Sequence, residues 1–310
     1  MTSTWRFAGK PPSTVIGGPA SDDEVPGYWA ALGLPGLIDS HIHFLPDSMQ
    51  RKVWAYFDEA ETHYGAGWPV RYRLPIEQRL DVLTALGVRA FPTLPYPHKP
   101  GMAVWLNEWS ADFAQRDPRI LRSSTFYPEP GVESYVGRAV EDGTRVFKVH
   151  VQVGGYDPRD PLLDPVWGML AEAGTPVVTH CGSRPIPGTF TGADPIAEVL
   201  RRHPQLCLVI AHMGMHEYAA HLDLAQTHQR VYLDTTMFAT AFTEAFAPFD
   251  RTLLPRLGDL GDRILLGSDF PSIPYPYATQ IAALHDLDLG EDWLRAVLWH
   301  NAAALFGIRA

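Results

Sequence analysis

Eight short runs rich in Val, Ile and Leu alternate along this sequence with segments whose apolar residues recur at helical spacing. Near-continuous apolar runs are typical of parallel strands that are covered by helices on both faces. A strand and a helix recur about every 30 residues, and a series of such units favours a closed (β/α)8 TIM barrel over an open sheet. The predicted strands are residues 36–39, 88–94, 120–126, 145–151, 176–180, 206–212, 230–235 and 263–269.

Local signals mark the ends of several predicted helices. Asp164 and Asp194 are each followed by proline, which predicts an N-cap and then proline at the first helical position. Gly87, Gly143 and Gly174 each stand just before a predicted strand, where a left-handed C-cap is expected. The boundaries therefore agree with the strand–helix alternation.

One barrel accounts for most of the 310 residues, so we expect a single domain over residues 36–310. Residues 1–35 are rich in Pro, Gly and Ser, and we expect them to form an N-terminal arm on the barrel. Residues 44–75 form a long first βα loop that is rich in Trp and Tyr. This insertion is interpreted either as a segment with its own apolar core or as a lid over the substrate site, and both roles are compatible.

Composition excludes several classes of partner. The net charge of −10 provides no cationic surplus for phosphates, so we expect neither nucleic acid nor an anionic membrane as a partner. No apolar stretch reaches the length of about 18 residues that a spanning helix needs. Two cysteines, Cys181 and Cys207, cannot build a disulfide framework, and free thiols suit a reducing compartment. No secretory leader is evident, so we expect a cytoplasmic protein.

Polar residues terminate four of the predicted strands. His41 and His43 lie two residues apart at the end of the first strand, so their side chains point to the same side. His180, His212 and Asp269 end the fifth, sixth and eighth strands. The carboxyl ends of barrel strands meet at one mouth, and imidazole and carboxylate groups are ligands for transition metals. The sequence therefore predicts a metal site at this mouth.

These motifs resemble the amidohydrolase superfamily, and most closely its aminocarboxymuconate-semialdehyde decarboxylase-like branch. The resemblance rests on PGLIDSHIHF, on the strand ends VTH, AHMG and LGSDFP, and on the terminal HNAAALFG, and it covers residues 36 to 308. It implies that His41, His43, His180 and Asp269 hold one divalent metal, most often zinc and in some members manganese. His212 would then be a catalytic histidine beside the metal, and Asp269 would also accept a proton from the metal-activated water.

The predicted fourth strand, RVFKVHVQ, directs Lys148 and His150 into the barrel. In binuclear amidohydrolases a carboxylated lysine on this strand bridges two metals, which is one interpretation of Lys148. We favour the other, a buried cation that pairs with a carboxylate or recognises substrate, because the chain resembles the mononuclear branch. Arg184 follows His180 in a loop and is expected either to bind a substrate carboxylate or to lie at the surface. Lys148, His150 and Arg184 are thus the candidate substrate-binding residues.

The remaining histidines and Cys181 receive no chemical role at this point. Cys181 adjoins His180, but no general base is evident for it, so nucleophilic catalysis is not expected. The histidines outside the strand ends are expected at surface or capping positions, and they are His63, His98, His203, His216, His221, His228, His285 and His300.

Two activities fit the predicted site. The first is hydrolysis of a C–O or C–N bond in a small organic molecule by a metal-activated water. The alternative is non-oxidative decarboxylation of an unsaturated or aromatic carboxylic acid. Cationic groups at the metal would favour the decarboxylase, with Arg51, Arg71 and Arg73 of the insertion as further candidates, whereas an apolar pocket would favour the hydrolase. Similar proteins are commonly dimers, so a homodimer is compatible with the resemblance.

Overall fold

The computed structural model describes residues 17–309, and within this range nine strands all pair in parallel. They form one three-stranded and one six-stranded segment, each in chain order. The strands are β1 (Leu37–Ile38), β2 (Val88–Pro92), β3 (Ile120–Leu121), β4 (Ser123–Thr125), β5 (Val146–His150), β6 (Val177–His180), β7 (Leu208–Ile210), β8 (Val231–Asp234) and β9 (Ile264–Leu265).

The predicted third strand is divided into two. β3 pairs with β2 and β4 pairs with β5, and Arg122 lies between the two short strands. At this break the Ser123 hydroxyl accepts from the Thr93 backbone N–H at 3.0 Å, which replaces a main-chain ladder bond. Because β3 and β4 together occupy one position, the eight positions of the predicted (β/α)8 barrel are confirmed.

The barrel closes between its first and last strands. Ile42 and Phe270 form a parallel bridge just beyond β1 and β9. Alongside it, the Ser40 N–H donates to Leu266 O at 2.8 Å, and the Asp269 N–H donates to His41 O at 2.9 Å. Main-chain bonds therefore join β1 to β9, and this seam runs directly beneath two of the predicted metal ligands.

Helices surround the strands and bury their apolar faces against them. In β7 every residue is fully buried, as expected for a strand that is covered on both faces. The helices are α1 (Val25–Ala31), α2 (Asp47–Asp58), α3 (Ala60–Tyr64), α4 (Ile76–Ala85), α5 (Ala103–Phe113), α6 (Val132–Glu141), α7 (Val151–Gly154), α8 (Asp164–Ala173), α9 (Ala193–Arg202), α10 (Tyr218–Thr227), α11 (Ala241–Glu244), α12 (Leu254–Asp259), α13 (Tyr277–His285), α14 (Glu291–Arg295) and α15 (Asn301–Phe306).

The predicted N-caps at Asp164 and Asp194 are wrong. Asp164 is the first residue of α8 and Asp194 the second residue of α9, and neither helix has a side-chain cap. The Asp164 carboxylate instead contacts the Arg202 guanidinium and the His203 ring, so it joins α8 to α9. The left-handed glycines are confirmed, because the backbone φ angles are positive at Gly87, Gly143 and Gly174.

The insertion folds into α2 and α3 and packs on the barrel. Trp68 and Tyr72 of this segment belong to the main apolar core, whereas Leu45 and Met49 form a small separate cluster with Leu106 of α5. Residues 1–16 lie outside the described range, and residues 17–35 contain α1. The Asp22 carboxylate accepts from the Tyr72 hydroxyl and from the Ala278 N–H, which ties this part of the chain to the insertion and to α13. The division into an arm and a barrel domain stays a prediction.

Over residues 17–309, none of the helices has the length and apolar character needed to cross a membrane.

Candidate functional site

Three predicted ligands converge at the carboxyl end of the barrel. The Nε2 atoms of His41 and His43 are 3.2 Å apart. One Asp269 carboxylate oxygen lies 3.1 Å from His43 Nε2 and 3.5 Å from His41 Nε2. His41 and His43 follow β1, and Asp269 follows β9, so the barrel seam brings the three side chains together. Their ligand atoms all lie within 4.8 Å of one another, close enough to hold one metal ion.

The Nδ1 atoms of His41 and His43 face away from Asp269, and their hydrogen bonds determine the tautomer of each ring. His43 Nδ1 lies 2.9 Å from Leu94 O, which can only accept, so this nitrogen carries the proton. His41 Nδ1 lies 2.8 Å from an Asp234 carboxylate oxygen and donates to it in the same way. Burial lowers the pKa of His41 to about 4, so the ring is neutral at pH 7. Both Nε2 atoms therefore present lone pairs to each other and to Asp269.

This donor set fits a divalent metal. Two imidazole lone pairs and a carboxylate repel one another unless a cation lies between them, and this set of nitrogen and oxygen ligands suits several divalent transition metals. Lys148 Nζ, 3.1 Å from His41 Nε2, is the cation in contact with the group. In addition, the buried Nδ1 of His212 has no hydrogen-bond partner within the described residues. The ring nitrogens and the carboxylate at this mouth thus keep unused hydrogen-bonding and metal-binding capacity, as expected of a ligand-binding site.

His180 and His212 lie at the same mouth but outside the three-residue group. The His212 ring centre is 5.0 Å from that of His41 and 4.6 Å from that of His180. His180 Nε2 contacts Arg184 O at 3.1 Å and therefore donates to a loop carbonyl. His180 also stacks on His150, with ring centres 3.9 Å apart. The role of His180 as a metal ligand stays a prediction.

The three candidate substrate-binding residues are placed differently. Lys148 is fully buried and, among residues 17–309, pairs with no carboxylate; its partner is His41. Burial lowers the pKa of the Lys148 ammonium to about 8. His150 lines the cavity, and its Nδ1 accepts from the Val153 N–H at 3.3 Å, so the proton sits on Nε2. The Arg184 side chain does not line the cavity, and this residue contacts His180 through its carbonyl.

Two buried carboxylates support the metal group, the name used from here on for His41, His43 and Asp269. They were not among the predicted site residues. Asp234 ends β8 and, besides binding His41, accepts from the His212 N–H at 2.8 Å and the Thr236 N–H at 3.1 Å. Burial raises the pKa of Asp234, but the neighbouring histidines lower it more, so the carboxylate is ionised. Asp39 accepts from the His41 N–H at 3.0 Å. Asp234 carries the same signal as the predicted ligands, because it is a polar residue ending the apolar strand RVYLDT.

A cavity of about 450 Å³ opens above the metal group. One wall is the insertion, where α2 presents Met49, Gln50, Val53, Tyr56 and Phe57 at helical spacing. The opposite side and the floor are formed by the strand ends and their loops. The remaining lining residues are His41, His43, Leu45, Lys52, Tyr64, Trp68, Tyr96, His98, Lys148, His150, Gln152, Val153, His180, Pro185, His212, Met215, Met237, Asp269 and Ser272.

The cationic side chains that line this cavity are lysines. Lys52 and Lys148 line the cavity, and no arginine of the described chain does so. Arg73 instead forms an ion pair with Asp58 at the surface of the insertion. The arginines proposed from the sequence as carboxylate anchors therefore do not line this cavity.

One of the remaining histidines is not where the sequence predicts. His221 is fully buried, whereas His98 is exposed, as predicted, and also lines the cavity. The His221 Nδ1–H donates to Glu217 O, and Nε2 lies 3.7 Å from Cys181 Sγ, so it accepts from the thiol. Burial raises the pKa of Cys181 to about 12, and the protonated, enclosed thiol is a structural group.

Comparisons with known proteins agree with this architecture. An uncharacterised TIM-barrel protein from Bordetella bronchiseptica is similar over 88% of this chain and 99% of its own, with a TM-score of 0.71 and 17% identity. The 5-carboxyvanillate decarboxylase of Sphingomonas paucimobilis gives 0.62 and 16%, covering 89% and 100%. A probable 2-pyrone-4,6-dicarboxylic acid hydrolase from Acinetobacter baumannii gives 0.62 and 15%, covering 88% and 99%.

At such identities these structures establish the barrel fold alone. The comparison with curated proteins gave no match. The sequence model of one family, described as amidohydrolase, matches residues 38–308, which is nearly the whole barrel. The predicted family resemblance is thereby confirmed: the chain belongs to the amidohydrolase family.

Proposed function

We propose that this enzyme hydrolyses a C–O or C–N bond of a small, largely apolar organic molecule, such as a lactone, an ester or an amide. One observation carries the proposal: the lone pairs of His41, His43 and Asp269 converge beneath a cavity whose outer wall is mostly aromatic and aliphatic and carries no arginine. A mostly apolar wall without arginine favours a hydrolase, whereas the cation Lys148 at the metal group favours the decarboxylase that is considered below.

His41, His43 and Asp269 would hold one divalent metal, for which we propose zinc, with manganese as the other candidate and His180 as a further ligand. When bound, the metal supplies Lewis-acid polarisation of a carbonyl and lowers the pKa of water. Asp269 is ionised, because its contacts with His43 and the neighbouring histidines outweigh the opposing effect of burial on its pKa. Its carboxylate therefore provides a proton acceptor at the floor of the cavity.

His212 is the second catalytic group in this proposal. Burial lowers its pKa to about 4, so the ring is neutral at pH 7 and offers one N–H donor and one lone pair. Its backbone N–H is held by Asp234, and its side chain lines the cavity beside His41. A neutral imidazole in this position would donate a hydrogen bond to a substrate carbonyl as negative charge develops on the oxygen.

Metal analysis combined with a substrate panel tests the function. We expect about one equivalent of metal per chain, as for a mononuclear catalytic site, and turnover of at least one lactone, ester or amide. The same panel includes aromatic and muconate-type acids, with CO2 release as the readout. Two equivalents of metal would contradict the mononuclear site and favour the bridging role for Lys148. Catalytic CO2 release without any hydrolysis would contradict the hydrolase.

A pair of variants separates catalysis from metal binding. His212→Ala should lower kcat by about 100-fold or more while the metal content stays unchanged. The matched control is His285→Ala, because His285 contacts Tyr28 on the side of α13 and does not line the cavity. Loss of the metal in His212→Ala would contradict the division of roles between His212 and the three ligands.

Decarboxylation is the second candidate, and Lys148 is the observation in its favour. This buried ammonium touches the metal group, and an acid placed there would meet a cation at the point of reaction. Lys148→Met tests this alternative: a decarboxylase would lose affinity for the acid, whereas a hydrolase acting on neutral substrates would keep its KM.

A further inference from the structure

One side chain of the cavity wall has an unused donor. Gln50 is only 2% exposed and borders the cavity from α2. Its amide nitrogen is buried and has no hydrogen-bond partner among residues 17–309. A buried donor without a partner destabilises the folded state, so this nitrogen calls for an acceptor.

The other end of the same amide is held by a buried arginine. Arg79 of α4 is 1% exposed, and its Nη1 donates to Gln50 Oε1 at 3.1 Å. Within the described residues the guanidinium pairs with no carboxylate. It lies instead over the rings of Phe44, at 4.9 Å, and Trp54, at 5.6 Å. Asp47, at the start of α2, is the acidic group that acts on it through space.

This arrangement fixes which way the amide points. Guanidinium nitrogens donate and cannot accept, so the Gln50 oxygen must face Arg79 and the NH2 group must face away. The positive charge on Arg79 also polarises the amide, because a charge-assisted hydrogen bond draws electron density towards the oxygen. The Gln50 N–H groups are therefore strengthened donors next to the cavity.

Lys52 adds to the same positive character. It lies on α2 two residues from Gln50, lines the cavity and forms no ion pair within the part of the chain that the structure describes. The wall that α2 contributes is thus apolar in most of its side chains, but it carries one oriented donor and one ammonium. Because Lys52 is exposed to solvent, the unmet donor of this wall is the Gln50 amide, and a ligand oxygen is the group that would accept from it.

Taking the cavity as the substrate site of the proposed function, we propose that Gln50, oriented by Arg79, determines specificity by donating a hydrogen bond to a substrate oxygen other than the one at the metal group. The oxygen belongs to a carbonyl or a carboxylate. Arg79 acts through Gln50 and is a positioning residue. The substrate would therefore carry two separate oxygen functions, one at each wall of the cavity.

Two substitutions at Gln50 separate this role from packing. Gln50→Met keeps the volume and removes the donor. Gln50→Glu also removes the donor but gives Arg79 a carboxylate partner, so its thermal stability should equal or exceed that of the wild type. Gln280→Met is the matched control, since Gln280 is a fully buried glutamine of α13 that does not line the cavity. The double variant Gln50→Met with Arg79→Met removes both partners and keeps the test available if Arg79→Met alone fails to fold.

Three inert aromatic probes measure binding to the metal-loaded enzyme without turnover. Each carries one carboxylate for the metal group; at the para position terephthalate adds an anionic oxygen function, 4-acetylbenzoate a neutral one, and 4-ethylbenzoate none. In Gln50→Met we expect the Kd of terephthalate and of 4-acetylbenzoate to rise about 5- to 10-fold, with that of 4-ethylbenzoate unchanged. In wild-type protein labelled with 15N-glutamine, the side-chain amide signal that disappears in Gln50→Met should shift with terephthalate and 4-acetylbenzoate but not with 4-ethylbenzoate.

The probe pair also identifies the charge of the acceptor. A carboxylate source predicts that Gln50→Glu weakens terephthalate binding more than 4-acetylbenzoate binding, because the introduced carboxylate repels the second carboxylate of terephthalate. A carbonyl source predicts equal weakening. If each probe binds wild type, Gln50→Met and Gln50→Glu with the same Kd, the proposal is overturned.

Failure of this inference is distinguishable from failure of the hydrolase. If the panel shows hydrolysis and the KM does not change in the Gln50 variants, the role of Gln50 is contradicted and the hydrolase activity is supported. A Gln50-dependent Kd for the probes without any hydrolysis leaves the binding role standing and removes the activity.

Discussion

Asp234→Asn should weaken metal binding without unfolding the barrel, because it reverses the tautomer of His41. The two Asp234 oxygens together accept from His41 Nδ1, the His212 N–H and the Thr236 N–H. An asparagine keeps one oxygen for the two backbone donors and turns its NH2 group towards His41. The His41 ring must then accept at Nδ1 and carry its proton on Nε2, where a metal needs a lone pair.

The size of the effect follows from the contact that is lost. The bond between Asp234 and His41 is short, at 2.8 Å, fully buried and charge-assisted. Removing such an outer partner of a ligating histidine lowers metal affinity by about 10- to 100-fold, which corresponds to about 1.4–2.8 kcal/mol. The shape of the side chain is conserved and the backbone donors keep an acceptor, so we expect the midpoint of urea unfolding of the metal-free protein to change little.

Chelator competition against zinc measures the affinity, and 15N spectroscopy of the imidazole nitrogens identifies the tautomer. Asp22→Asn is the matched control: it removes a carboxylate that accepts from Tyr72 and Ala278 away from the metal group. Unchanged zinc affinity in Asp234→Asn, with the His41 proton still on Nδ1, would refute the argument that Asp234 sets this tautomer.

Three further predictions concern stability and reactivity. Arg119 hydrogen bonds lower the folded pKa of Asp117 below its ordinary 3.8, so the pair stabilises above that pH and is lost as the pH falls through the folded pKa. Asp117→Asn should therefore reduce the free energy of unfolding by about 1 kcal/mol at pH 7 and by almost nothing once the pH lies below the folded pKa, as measured by urea titration. Both cysteines are buried, and burial raises the pKa of Cys207 to about 11, so neither thiol should react with a disulfide reagent at pH 8 until urea is added. A Cβ on Gly214 would lie 2.1 Å from the His221 ring at a positive φ, whereas one on Gly307, also at positive φ, meets nothing nearer than 3.9 Å. Gly214→Ala should therefore destabilise by about 3 kcal/mol and Gly307→Ala by about 1 kcal/mol in the same assay.

The barrel and the three grouped candidate ligands are accessible from sequence because their signals are local. A polar residue that ends an apolar run lies at the mouth of a barrel, and His41, His43 and Asp269 all have this position. The division of the third strand at Arg122 is not accessible in the same way, because it depends on which neighbouring strand each half pairs with.

The supporting residues depend on contacts between distant parts of the chain. Asp234 meets His41 across 193 positions, and Arg79 meets Gln50 across 29. A glutamine on an amphipathic helix is an ordinary surface residue by pattern, and only the packing of α2 against α4 shows that Gln50 is buried. The same limit applies to Arg184, whose guanidinium was expected either at the substrate or at the surface, and whose carbonyl contacts His180.

The seam of the barrel has a consequence for how the chain folds. His41 and Asp269 belong to opposite ends of the barrel sequence, and the Asp269 N–H bonds directly to His41 O. Contacts between residues so far apart in sequence form slowly, because the intervening chain loses conformational entropy before the contacts contribute any stabilising free energy. An ion held by both side chains would stabilise the closed barrel, since it binds only where the first and last strands have met. Metal supply would then govern the lifetime of the closed barrel as well as its chemistry.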